Sequence, residues 1–219
     1  MSVNGDTLKL QDTGICAIIR LKKEKIDIKP LIDALMAGGI QAVEVSFDTA
    51  GAPRLIKEIK EYVGEKILLG AGTIFNCESA MNAIENGAQF LISPHLDENL
   101  LRFCEEKSVP CIPGVFSPTE ISNAYKNGAK IVKLYPVSAL GCNYIKTLKS
   151  GPFKKIIFMA VGGIDLSNAA DFILAGASIL GIGSALINDE LVDSKNWEKI
   201  KENSTRFIRI VKSIRGNND

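Results

Sequence analysis

Short apolar runs alternate along this chain with longer segments of mixed polarity. Runs rich in β-branched and small residues occupy Gly14–Arg20, Ile40–Ser46, Ile67–Thr73, Gln89–Ser93, Val109–Pro113, Lys130–Tyr135, Lys155–Val161 and Ser178–Ser184. Near-continuous apolar runs of this length suit strands covered on both faces, as parallel strands are. The segments between them space apolar residues three and four apart, as in Leu31/Ile32/Leu35 and Leu55/Ile56/Ile59. That spacing predicts helices with one buried stripe. Eight strand–helix units in succession predict a parallel sheet with right-handed crossovers.

The punctuation agrees. Helix ends are expected at Gly38-Gly39, Asn86-Gly87-Ala88, Asn127-Gly128-Ala129 and Ala175-Gly176-Ala177, where glycine suits the left-handed residue that closes a helix. Ser117-Pro118-Thr119-Glu120 reads as a helix start, with Ser117 as N-cap and Glu120 closing a capping box. Trp197, Ile200, Phe207, Ile208 and Val211 form one stripe of a docked terminal helix expected over 194–213. A helical extension is expected over 1–13, and no linker divides 1–219. One domain of eight such units predicts a TIM (β/α)8 barrel. The rival, an open doubly wound sheet, lacks its glycine fingerprint, because Gly14-Ile15-Cys16 opens a strand rather than following one.

Composition narrows the partners. Hydrophobic residues make up 46% and charged residues 23%, with a net charge of +1. This describes an ordinary globular chain with no reason to bind nucleic acid or an anionic membrane. The polar start Met1-Ser2-Val3-Asn4-Gly5-Asp6 is unlike a signal peptide, and no run has the length of a membrane span. The five cysteines show no C-x-x-C pair; free thiols in a reducing cytoplasm are expected, and no metal site. His95 is the only histidine, which excludes mechanisms needing two. It falls in a predicted loop and receives no role.

The candidate chemistry lies in polar residues inside apolar strands. Lys133, within Ile131-Val132-Lys133-Leu134, must either reach water or stay desolvated. Desolvation favours the neutral amine that Schiff-base chemistry on a ketone requires. Period-two alternation puts Val43 and Val45 on one face and Glu44 on the other, so Glu44 points into the barrel. Lys133 can point inward by the same argument. The pair is either a nucleophile with a proton-transfer partner or a structural ion pair. Gly162-Gly163 and Gly183-Ser184 end the seventh and eighth strands, where barrels commonly hold a phosphate. Gly163 is expected to lead directly into a helix at Ile164-Asp165-Leu166-Ser167. Gly70-Ala71-Gly72-Thr73 leaves room for a substrate and offers a hydroxyl, or simply packs closely. Arg20 ends the first strand and is suited to a carboxylate or phosphate, with a surface salt bridge as the competing reading.

From about Gly14 to Ser184 the chain resembles the 2-keto-3-deoxy-6-phosphogluconate (KDPG) aldolase family, also described as 4-hydroxy-2-oxoglutarate aldolases. The matching stretches are Ala37-Gly38-Gly39, Val43-Glu44-Val45, Gly70-Ala71-Gly72-Thr73, Ile92-Ser93-Pro94, Pro113-Gly114-Val115 with Pro118-Thr119-Glu120, Lys133-Leu134-Tyr135-Pro136, Gly162-Gly163-Ile164 and Gly183-Ser184. The resemblance implies a class I aldolase on a TIM barrel, usually a homotrimer, using no metal or cofactor beyond the covalent imine. It implies Lys133 as the imine-forming residue, Glu44 as general acid and base, and Thr73 as a carboxylate ligand. It also implies Gly162, Gly163 and Ser184 as the phosphate site, with Pro94 and Gly183 among the substrate-binding residues.

Two positions depart from the family pattern. Many members carry an arginine where this chain has Asp48, and a threonine where it has Val161. The expected reaction is cleavage of 2-keto-3-deoxy-6-phosphogluconate to pyruvate and glyceraldehyde 3-phosphate. The galactonate isomer and 4-hydroxy-2-oxoglutarate are the alternative substrates. A phosphosugar isomerase or a non-catalytic phosphate-binding barrel are the alternative functions.

Overall fold

The computed structural model describes residues 9–23 and 26–216. Nine strands alternate with helices: β1 (Ile15–Ile19), β2 (Ala42–Ser46), β3 (Leu68–Gly72), β4 (Phe90–Ile92), β5 (Cys111–Ile112), β6 (Gly114–Val115), β7 (Ile131–Leu134), β8 (Ile157–Val161) and β9 (Ile179–Ile182). The helices are α1 (Ile28–Ala37), α2 (Ala52–Val63), α3 (Cys77–Glu85), α4 (Glu98–Glu106), α5 (Pro118–Lys126), α6 (Val137–Leu140), α7 (Cys142–Ser150), α8 (Ala169–Leu174), α9 (Asp189–Asp193) and α10 (Trp197–Arg215).

All pairings are parallel, in the order β5-β4-β3-β2-β1-β9-β8-β7-β6. β5 falls within the predicted fifth strand, Val109–Pro113, and β6 continues the same strand position beyond Pro113, past the predicted end. Proline has no N–H for a ladder, but its carbonyl still accepts a hydrogen bond from Lys133 N at 2.9 Å. Counting the two as one strand leaves eight positions, with β5 on β4 and β6 on β7. The TIM-barrel expectation is borne out.

Alternation along each strand sorts side chains into two cores. Val43, Val45, Val132 and Leu134 face outward into the layer shared with the helices. Cys16, Ala42, Leu68, Phe90, Ile131 and Met159 fill the barrel interior, and Leu10 packs on them from the segment before β1. Residues 9–13 are helical, while residues 1–8 of the expected extension lie outside the described residues. Arg215 of α10 donates hydrogen bonds to the carbonyls of Gln11, Asp12 and Ser178, tying that segment to the floor of the barrel. Ile200, Phe207 and Val211 of α10 are buried along the predicted stripe.

The glycines expected to close helices, Gly39, Gly87, Gly128 and Gly176, all take positive φ. Ser117 and Glu120 form both halves of the capping box, an arrangement worth about 1 kcal/mol. One expectation fails. No helix follows Gly163 directly; a turn intervenes, and α8 begins at Ala169. Asp165 accepts from Ser167 N at 2.8 Å and Asn168 Oδ1 accepts from Asp165 N at 3.0 Å. These local bonds compete with helical ones and delay the helix. Among the described residues no helix is long and apolar enough to cross a membrane.

Candidate active site

The interior changes character toward the C-terminal ends of the strands. Glu44 is 1% exposed and Lys133 3% exposed, and both lie on the inward face that the alternation predicts. Glu44 has this position because β3 gives way beside it. A Cβ on Gly72 would lie 1.3 Å from Glu44 Oε1, so only glycine leaves room for the carboxyl group. Among the described residues Glu44 Oε2 is buried with no hydrogen-bond partner, an arrangement that is costly for a merely structural carboxylate. Lys133 Nζ stands 4.8 Å from the centre of the Tyr135 ring.

Burial dominates the electrostatics of both groups. It pushes Lys133 below the ordinary lysine range; Glu44 opposes that shift and Arg20 adds to it. Burial pushes Glu44 above the usual carboxylate range, against the pull of Lys133 and Arg20. An amine biased toward neutrality and a carboxyl biased toward protonation, side by side, suit nucleophilic attack and proton donation. Cys16, directly beneath them in the interior, has its thiol pushed well up by burial and by Glu44. It is inert as a nucleophile.

Arg20 enters from the end of β1. Its Nε donates to Ser46 Oγ at 3.2 Å and its Nη2 to Thr73 Oγ1 at 3.1 Å. The two hydroxyls are 2.8 Å apart, and Asp48 Oδ2 lies 3.4 Å from Nε. The Arg20–Asp48 pair is half-exposed and contributes roughly 0–1 kcal/mol to stability, so its consequence is orientation. Thr73 adopts φ +62°, a strained conformation for a β-branched residue. Its hydroxyl bonds to Ser46 and Arg20 help hold it there.

A cavity of about 310 Å³ opens over this group and is lined by Arg20, Glu44, Lys133, Gly162, Gly163, Gly183 and Ser184, among others. The structure thus brings together seven of the predicted site residues. Thr73 and Pro94 lie outside its lining. Thr73 reaches the site through Arg20, while the Pro94 carbonyl packs against Gly114, where a Cβ would come within 2.3 Å. At the far end Gly162 and Gly163 take φ of +98° and +79°. Among the described residues the backbone N–H groups of Gly163, Ile164 and Ser184 donate to no protein acceptor. An anion can be held there by backbone alone.

Sequence reasoning missed several lining residues. Tyr135 follows Lys133 by two positions and shares its face, so the alternation contained the signal. Ile18, Ile164 and Ile187 form apolar walls, and nothing distinguishes such residues from core in a sequence. Asn188 and Asp189 also line the cavity, but they occupy the N-cap and first turn of α9 and read as ordinary capping chemistry. A second cavity, of about 240 Å³, lies at the opposite end near Leu10, Phe90, Cys104 and Cys111.

Comparison with known proteins agrees with this geometry. The family model described as "Aldolase: KDPG and KHG aldolase" matches residues 7–203. The 2-dehydro-3-deoxy-phosphogluconate aldolase of Pseudomonas aeruginosa is 34% identical over 204 residues, covering 93% of this chain and 91% of that protein. The KHG/KDPG aldolase of Escherichia coli is 36% identical over 191 residues, covering 86% and 88%. A solved KDPG aldolase from Legionella pneumophila, with pyruvate captured as a covalent carbinolamine, superposes with a TM-score of 0.84 at 28% identity, over 91% of this chain and 96% of that one. By sequence and fold, the chain belongs to the KDPG and KHG aldolase family.

Proposed function

We propose that this protein is a class I aldolase that cleaves 2-keto-3-deoxy-6-phosphogluconate to pyruvate and glyceraldehyde 3-phosphate, with Lys133 as the imine-forming residue. The observation that carries the reading is a desolvated lysine and a buried carboxylate, one oxygen of which has no hydrogen-bond partner among the described residues, opening on one cavity. Lys133 Nζ attacks the C2 ketone to give a carbinolamine, which loses water to become a protonated imine. Glu44 supplies the proton for that loss. As carboxylate it then takes the proton of the C4 hydroxyl while the C3–C4 electron pair moves into the imine. Glyceraldehyde 3-phosphate leaves, C3 of the enamine is protonated, and hydrolysis frees pyruvate and Lys133.

Arg20, supported by Thr73, binds the carboxylate end of the substrate. The glycine turns at Gly162, Gly163 and Gly183, with Ser184, bind the phosphate and fix the span between. Pro94 shapes the rim through its contact with Gly114. The imine is the electron sink, so these steps call on no metal or organic cofactor. The five cysteines are unpaired, in keeping with a cytoplasmic setting. A homotrimer is the assembly inherited from the resemblance, and sedimentation of the purified chain tests it.

Rates of pyruvate release test the substrate. The proposal expects the highest kcat/KM for the phosphogluconate-derived acid. A higher value for the galactonate isomer or for 4-hydroxy-2-oxoglutarate reassigns the substrate within the family, and Val161, which lines the cavity without a hydroxyl, is the first residue to vary.

A further inference from the structure

We propose that Asp48, together with Ser46, is a positioning residue for substrate binding, gripping the Nε edge of Arg20 so that the terminal nitrogens of its guanidinium face the cavity. The inference rests on the reading of Arg20 as the carboxylate ligand. Arg20 lines the cavity, whereas Ser46, Asp48 and Thr73 stand behind it, outside the lining. Nε is taken by Ser46 Oγ at 3.2 Å and faces Asp48 Oδ2 at 3.4 Å. Asp48 N in turn donates to Ser46 Oγ at 3.4 Å, which ties the acid and the hydroxyl into one unit at the end of β2. One Nη2 hydrogen goes to Thr73.

A guanidinium has five N–H donors. Protein acceptors take the Nε hydrogen and one on Nη2, which leaves three, two of them on Nη1. A fork of terminal nitrogens is the geometry that meets a carboxylate with two parallel bonds. The Arg20 side chain is itself half-exposed, and an unsupported arginine there would lose rotamer freedom on binding. Asp48 and Ser46 remove that freedom beforehand. Asp48 also brings a negative charge near an acidic substrate. It lies outside the cavity lining and is half-exposed, so solvent screens the repulsion. Positioning outweighs it.

The test is trapping of Lys133 by borohydride across a pyruvate titration, in wild type, Asp48→Ala, Asp48→Asn, Arg20→Ala and the Arg20→Ala/Asp48→Ala double variant. Asp48→Ala is expected to raise the half-saturating pyruvate concentration about tenfold, the scale of one charge-assisted contact, with the maximal extent of trapping unchanged. Asp48→Asn, which keeps an oxygen beside Nε but loses its charge, is expected to fall between Asp48→Ala and wild type. In the Arg20→Ala background, loss of Asp48 is expected to change nothing further, because the acid acts through the arginine.

An unchanged or lowered half-saturation in Asp48→Ala overturns the inference. So does an equal rise with and without Arg20. If Arg20→Ala has no effect, the carboxylate role of Arg20 fails and the inference with it, while trapping at Lys133 still upholds the aldolase reading. Absence of trapping in wild type overturns both.

Discussion

The two ends of the barrel interior are built from the same eight strands and do opposite work. At the N-terminal end the inward positions hold Leu68, Phe90, Ile131 and Met159, sealed from below by Leu10. Those groups supply stability through dense apolar packing. At the C-terminal end the same alternation puts Glu44 and Lys133 inward, where each sits away from its ordinary protonation range because it is buried. In the proposed mechanism the dry floor keeps the upper groups reactive. Water reaching Lys133 from beneath would restore its charge and remove the nucleophile. One end contributes stability, the other gives some up for reactivity.

Variants at the upper end are expected to show the largest effects. Lys133→Met leaves no amine, and pyruvate release is expected to fall more than about 10³-fold. The same variant is expected to raise the melting temperature at neutral pH. Between its lowered folded value and the ordinary 10.5, the unfolded chain carries the lysine proton and the folded chain does not. Stability therefore rises with pH through that window, and below it the wild type bears the full cost of a buried cation. Methionine abolishes that cost, so thermal melts at pH 7 and at high pH check both the sign and the slope. A wild type that melts higher than Lys133→Met at pH 7 contradicts the account.

Gly72→Ala comes next. The new methyl would displace the Glu44 carboxyl, and kcat is expected to fall about 10²-fold while circular dichroism stays native. Below the site, Leu10→Ala opens a hole in the floor and is expected to cost about 2–4 kcal/mol in denaturant unfolding, with KM unchanged. The smallest displacement to be read is in pH dependence. Glu44 holds the Lys133 value up against desolvation, so in Glu44→Gln, whose turnover is also slowed by the missing proton donor, the residual imine formation has its acid limb at lower pH. Stopped-flow pyruvate binding across pH reads that displacement.

The period-two alternation made the fold and the central pair legible. Val43 and Val45 outward meant Glu44 inward, and Val132 and Leu134 did the same for Lys133. The fifth strand was expected to end at Pro113, and its continuation as β6 was not legible because that pairing depends on β7, far away in sequence. The roles of Ser46 and Asp48 were not legible, because their meaning comes from where the Arg20 side chain turns after leaving β1. The turn after Gly163 was not legible, because only the competition between the side-chain bonds of Asp165 and Asn168 and the helix decides where α8 starts. The apolar cavity walls left no trace at all, since Ile18 and Ile187 resemble every other buried isoleucine.

The central claim is that the buried amine of Lys133 forms the covalent intermediate. Incubating the protein with pyruvate, reducing with borohydride and locating the adduct by peptide mass spectrometry tests it directly. The account predicts one reduced pyruvate adduct, on the peptide carrying Lys133 and absent from Lys133→Met. An unmodified Lys133, or an adduct that persists in the variant, contradicts it.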